Sequence, residues 1–220
     1  MIAAGLSCPV YAQDDYTLIG AGVRTRPEFD GSRERTVDLV PVLRYYGRPW
    51  FARTTQGILE GGARWSARPG LDVGAQLAYE QGPRDDDPGA SIGFHVEGDR
   101  TIRGVPLNGL VRVRQHLDSD RGTELDLRAT VGIYGSHGVQ AGVFAQSSFA
   151  STKHFESYYG IRESGLLFTS VGLLASYDLS QRWVLTGSLE ARRLSNDAAK
   201  SPIVEKQSAT YATAGLAWRF

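Results

Sequence analysis

Thr123 to Tyr134 reads TELDLRATVGIY, placing Leu125, Leu127, Ala129, Val131 and Ile133 on one face of an extended chain and Glu124, Asp126, Arg128 and Thr130 on the other. Side chains of a strand point alternately to its two faces, so a sustained period of two specifies β-structure. The pattern returns from Arg182 to Arg192, where Trp183, Leu185, Leu189 and Ala191 oppose Arg182, Thr186, Ser188, Glu190 and Arg192. It returns again from Val105 to Leu117, where Val105, Leu107, Val111, Val113 and Leu117 oppose Asn108, Arg112, Arg114 and His116. In the first two segments the polar face carries charges of both signs; in the third its charges are basic.

Working outward, strands are predicted at Tyr16–Arg26, Arg35–Tyr46, Pro49–Thr54, Gly57–Ser66, Gly70–Gln81, Ala90–Ile102, Val105–Leu117, Thr123–Tyr134, Gly138–Ser147, Gly165–Asp178, Arg182–Arg193 and Lys206–Phe220. Most run to about ten residues or more, the length a tilted strand needs to cross a bilayer; sandwich strands are about half as long. The connections sort into two alternating classes. Gly47-Arg48, Ala67-Arg68-Pro69, Arg103-Gly104, Gly135-Ser136-His137 and Leu179-Ser180-Gln181 are tight turns. Pro27 to Glu34, Gly82 to Gly89, Asp118 to Gly122, Ser148 to Ser164 and Leu194 to Glu205 are longer and polar or charged. Short turns at one end and longer loops at the other predict an all-β, antiparallel transmembrane β-barrel with short periplasmic turns and longer extracellular loops. About twelve strands are expected, or ten if the short Pro49–Thr54 hairpin with its Thr55-Gln56 loop is not formed.

Composition agrees. Lys plus Arg and Asp plus Glu each number 24, so no global field draws the chain to nucleic acid, and none is expected as a partner. No run approaches the roughly 18 consecutive apolar residues of a spanning helix. Met1 to Val10 is short, apolar and uncharged, and Val10-Tyr11-Ala12 suits a signal-peptidase cut. Residues 1–12 are therefore read as a signal peptide lacking a basic start, and 13–220 as one barrel domain. Cys8 leaves with that segment, and Gly5 stands where a lipoprotein signal needs Leu.

The final strand ends on Phe220 with Trp218, Leu216, Ala214 and Ala212 on one face, and Arg219, Gly215, Thr213 and Tyr211 opposite. Phe220, Trp218 and Leu216 resemble the C-terminal signal that the barrel-assembly machinery reads, so that machinery and outer-membrane lipid are expected partners. The lumen face is expected to carry Glu60, Asp72, Glu80, Glu97, Asp99, Glu124, Asp126 and Glu190 against Arg64, Arg112, Arg114, Arg128, Arg182 and Arg192. A mixed-sign interior pairs with itself in a barrel too narrow for an open pore; a narrow channel for small solutes is the alternative. A rim hydrolase ranks third, with His116 and Asp118 as its best pair, since no nucleophile motif accompanies them. Four scattered histidines predict no metal site, no cofactor is expected, and Asp85-Asp86-Asp87 reads as a solvated loop. Tyr45, Tyr46, Trp50, Phe51, Trp65, Tyr134, Tyr177, Trp183 and Trp218 are expected at the headgroup level.

Four further stretches resemble the MipA/OmpV family of outer-membrane proteins: Pro27-Glu28-Phe29-Asp30-Gly31-Ser32, Tyr158-Tyr159-Gly160-Ile161, Tyr177-Asp178-Leu179-Ser180, and Arg193 to Glu205. Within the last, Asp197, Ala198, Ala199, Ser201, Pro202, Ile203 and Val204 form the most specific motif; Asn196 and Lys200 depart from the family pattern. The resemblance implies a non-enzymatic barrel. It further implies a scaffold joining a lytic transglycosylase to a bifunctional murein synthase; other members are linked to osmotic response, adhesion and antibiotic susceptibility.

Overall fold

The structure, a computed structural model, describes residues 16–80 and 89–220. The segment read as a signal peptide, with Cys8, and the Asp85–Asp87 run lie outside the described residues. The described chain forms twelve strands: β1 (Leu18–Pro27), β2 (Arg35–Tyr46), β3 (Trp50–Thr55), β4 (Ile58–Arg68), β5 (Leu71–Glu80), β6 (Gly89–Ile102), β7 (Val105–His116), β8 (Thr123–Ser136), β9 (Val139–Ala150), β10 (Gly165–Asp178), β11 (Trp183–Leu194) and β12 (Ser208–Arg219). Every strand pairs antiparallel with its sequence neighbours, and β1 closes on β12 with Gly22 opposite Gly215. Closure pairs every strand on both sides, which removes the free edge strands of an open sheet, although β2 meets β3 only at its Arg44–Tyr46 end. The expectation of a long loop from Ser148 to Ser164 is corrected: β9 continues to Ala150, and helix α1 (Thr152–Tyr159) occupies half of the rest.

Polarity is inverted relative to a soluble protein. Val37 and Leu39 of β2 are 72% and 83% exposed, whereas Glu60 and Arg112 are 1% and 2% exposed. An apolar outer band around a charged interior is stable only where hydrocarbon replaces water outside. In β8 the alternation breaks at a bulge between Gly132 and Tyr134, leaving both Ile133 and Tyr134 exposed. Trp183 and Trp218 meet edge to face at 4.9 Å near the turn end, where Tyr45, Trp50, Trp65 and Tyr177 are also exposed. Tyr46 and Phe51 were expected in that belt and instead turn inward: Tyr46 lies under Arg64, and Phe51 packs edge-on against His95 at 5.2 Å.

The short hairpin exists, so the count is twelve rather than ten. Its form is unusual, because β3 pairs with β2 at only three positions, from Arg44–Arg53 to Tyr46–Phe51. Above them β3 separates from β2 while β4 stays paired with β5 as far as Leu59–Tyr79, and the connecting turn bends inward. Gln56 reaches β1, where its carbonyl accepts from Arg24 Nη1 at 2.8 Å, and β11, where its amide donates to Glu190 Oε2 at 2.8 Å. Gly57 takes φ +84°, and a Cβ there would overlap the Arg24 guanidinium, so this position requires glycine.

Candidate functional site in the lumen and at the loop end

Because strand alternation aims every second residue inward, charged residues on neighbouring strands face one another across the lumen. Arg112 of β7 binds Glu60 of β4 through Nη1 and Asp126 of β8 through Nη2 and Nε at 2.7 and 3.0 Å. Arg53 of β3 binds Glu97 of β6 at 2.8 Å and approaches Glu60 at 3.4 Å. Arg114 binds Glu80 of β5 at 2.9 Å and Glu124 of β8 at 2.8 Å, and Ser148 of β9 donates to Asp126 at 2.5 Å. Seven consecutive strands are thus tied by buried ion pairs and hydrogen bonds in which each charge has a partner, the condition under which buried charges are tolerated. A second group lies across the lumen. Asp38 accepts from Arg24 and Arg26 at 3.1 and 2.5 Å, and Arg192 binds Asp30 at 2.8 Å and Glu190 at 3.0 Å. Gln56 bridges this group through Arg24 and Glu190.

Two cavities flank this bridge. One of about 670 Å³ extends toward the turn end, past Arg44, Tyr46 and Leu107; one of about 160 Å³ lies toward the loop end, under His154, Tyr158 and Tyr159. Arg24, Gln56, Gly57 and Tyr211 line both and form the partition. In the larger cavity Arg128 makes no ion pair among the described residues, and its guanidinium lies 4.1 Å from the Phe144 ring.

The loop end is covered. Phe155 and Tyr159 of α1 pack with Leu167, Phe168, Leu194 and Ala198, and Ile161, Ile203 and Val204 flank them. Ser201 donates to the Tyr159 carbonyl at 2.5 Å, satisfying a helix-end acceptor. Gly31 of the first loop accepts from Glu205 and Lys206 at 2.8 and 2.9 Å. Three of the four stretches quoted for the family therefore converge on one small core over the barrel mouth. Within it, burial holds the Tyr159 hydroxyl above its ordinary pKa and lowers that of His154, despite the opposing pull of Glu124.

Other residues singled out in the sequence fall as follows. Arg64 binds Asp72 at 3.3 Å; Asp99 accepts from Asn108 at 3.0 Å, as does Glu97 at 2.9 Å. Arg182 is not a lumen charge: it precedes β11, is exposed, and lies 5.4 Å from the Trp218 ring, because the turn releases it from strand alternation. His116 and Asp118 do not pair. The His116 Nε2 meets Glu124 at 3.2 Å beneath α1, which with its core forms a lid over the loop end, while Asp118 points outward, accepts from the Asp120 amide and approaches Arg121. Leu216 is exposed on the outer face, Trp218 shares that face against Trp183, and the Phe220 amide donates to Thr17 at 3.0 Å. Asp197 pairs with Lys200 at 2.7 Å, Ala199 donates to Ser195 at 3.0 Å, and Pro202 is exposed. Arg24, Arg26, Asp38 and Arg53 also face the lumen; continuing the two-residue count through β1 to β3 would have found them. The expectation of no metal site rested on histidine spacing along the chain, yet His116 and His154 come together, with ring centroids 6.1 Å apart. Nothing local in the sequence marks that meeting, because α1 brings it about.

A closed antiparallel barrel with an apolar outer belt and a charged lumen defines an outer-membrane β-barrel protein. The NanC porin has the same fold, with TM-score 0.56 and 12% identity over 93% of this chain and 100% of that one. A chain described as a bacterial polysaccharide outer membrane secretin has TM-score 0.54 and 11% identity over 94% of this chain and 99% of that one. At such identity the likeness is one of fold alone. No curated protein matches the chain. The chain belongs to the family described as MltA-interacting protein MipA, which matches residues 19–220.

Proposed function

We propose that this protein is a non-enzymatic, closed barrel of the Gram-negative outer membrane that serves as an attachment point for peptidoglycan-remodelling enzymes, first among them a lytic transglycosylase of the MltA kind. The observation that carries this reading is the partition of the lumen: Gln56 and the ion pairs around Arg112 cross it, and α1 covers its loop end. A barrel so filled acts through its ends. The family name supplies the partner class, with a murein synthase as the second enzyme implied by the resemblance. At the turn end Arg48, Arg68 and Arg103 are exposed and offer a basic rim to an acidic face of that partner. His116 lies buried under the lid, away from any substrate at the rim, which favours a role without catalysis.

A second reading, a narrow solute channel, is favoured by the cavity of about 670 Å³ and by Arg128 within it. Two measurements decide. Purified barrel in planar bilayers is expected to give no discrete current steps, and a purified lytic transglycosylase is expected to co-elute with it. Co-elution should weaken when Arg48, Arg68 and Arg103 are changed together to Glu. Reproducible single-channel steps, or a transglycosylase that elutes alone, would overturn the proposal.

A further inference from the structure

Four side chains from four elements meet beneath α1: Glu80 of β5, His116 of β7, Glu124 of β8 and His154 of α1. His116 Nε2 stands 3.2 Å from Glu124 Oε1 and 3.5 Å from Glu80 Oε1, and His154 Nδ1 stands 3.4 Å from the same Glu124 oxygen. His116, Glu124 and His154 are buried, and their ligand atoms lie within 4.8 Å of one another. Arg114 binds the Oε2 atoms of both glutamates, which leaves both Oε1 atoms turned to the histidines. Tyr158 stacks on His154 at 4.2 Å and fixes the plane of its ring.

Two of the four inward atoms, Glu80 Oε1 and His154 Nδ1, are buried without a hydrogen-bond partner among the described residues. Buried polar atoms left without a partner are costly, and here both lie within 3.5 Å of the His116–Glu124 pair. A tetrahedral Zn²⁺ with bonds of about 2.0–2.2 Å holds its ligand atoms roughly 3.3–3.6 Å apart. The three separations above, 3.2 to 3.5 Å, are close to that size, and the ligand atoms of the buried trio all lie within 4.8 Å of one another. Two imidazoles and two carboxylates form a nitrogen and oxygen donor set suited to Zn²⁺ and its first-row neighbours. Ca²⁺, which takes about six to eight oxygens, finds too few here.

We propose that Glu80, His116, Glu124 and His154 form a binding site for a divalent metal ion of the Zn²⁺ class, which fastens α1 to the barrel wall. Arg114 then acts from outside the ligand shell, orienting both carboxylates. Because three ligands belong to the barrel and one to the lid, metal binding and lid closure are one equilibrium. The site needs neither an open lumen nor a periplasmic partner, so it stands apart from the function proposed above.

The test uses folded barrel in detergent, stripped with EDTA and titrated with ZnCl₂ by calorimetry, with bound metal counted by mass spectrometry. One Zn²⁺ per chain is expected. His154→Ala leaves every strand ladder intact and should weaken binding at least about 10-fold, whereas His137→Ala, in an exposed turn, should not. Heat-modifiable gel mobility confirms that each variant is folded, and Glu80→Gln gives an independent ligand removal. Zn²⁺ should also slow trypsin cleavage after Lys153 in the parent protein and leave His154→Ala unprotected. Absence of stoichiometric Zn²⁺, or unchanged affinity in both His154→Ala and Glu80→Gln, would overturn the proposal.

Discussion

Replacing Arg112 with Met keeps the aliphatic stem and removes the charge at the centre of the lumen network. Arg112 is 2% exposed and serves two carboxylates, Glu60 through Nη1 and Asp126 through Nε and Nη2. Removing one member of a buried ion pair costs about 3–5 kcal/mol, because the remaining charge is stranded. The strand neighbours reduce that here: Glu60 keeps Arg53 at 3.4 Å, and Asp126 keeps Ser148 at 2.5 Å and Arg114 at 3.5 Å. The expected loss therefore sits at the lower end, about 3 kcal/mol. Urea unfolding in lipid vesicles, followed by tryptophan fluorescence, measures it. Adding Glu60→Gln to Arg112→Met should recover part of the loss by removing one stranded charge. A loss below about 1 kcal/mol, the range of solvent-screened pairs, would refute the reasoning by showing that lumen water screens the network.

Other perturbations probe the partition and the lid. Gly57→Val forces a side chain into the Arg24 guanidinium at positive φ, at about 1–3 kcal/mol of strain; the turn should swing from the lumen, and bilayer recordings should show steps absent from the parent. Ser201→Ala strips a hydrogen bond from the Tyr159 carbonyl, worth about 1–2 kcal/mol to the closed lid, and should raise hydrogen exchange across residues 152–160 while Pro202→Ala does not. Burial lowers the His154 pKa below its ordinary 6.5, so protonation favours the open lid. Lid stability is then full above about pH 6.5 and falls as pH drops toward the depressed folded value. In metal-free protein, cleavage after Lys153 should accelerate below pH 6, roughly, and His154→Gln should abolish that dependence.

Much of the architecture was legible because strand alternation is a local property. The segments from Val105 to Leu117 and from Glu124 to Val131 assign each residue to a face whatever its partner strand, so Arg112, Arg114, Glu124 and Asp126 could be placed inward from periodicity alone. The same rule misplaced Arg182, since a residue in a turn is no longer bound by the pleat. Phe51 was misplaced for the opposite reason, its aromatic character near a strand end having been weighed above the face that its position dictates. Helix α1 carried no readable start: no acidic residue stands in its first turn, and Ser151, at its N-cap, gives no side-chain cap, its hydroxyl accepting from the Thr123 amide instead. Eight residues are too few to hold a helix without tertiary support.

By itself the sequence determined the barrel, its strand order, its lipid and lumen faces and its kinship, since these follow from a two-residue period, alternating connection lengths and short motifs read along the chain. Only the tertiary structure decided which charges pair, that Gln56 reaches across to β1 and β11, and that the scattered family stretches build one cover over the loop end. Those depend on the register in which distant strands meet as the barrel closes. Register brings Glu80, His116 and Glu124 beneath His154, although more than thirty residues separate the two histidines.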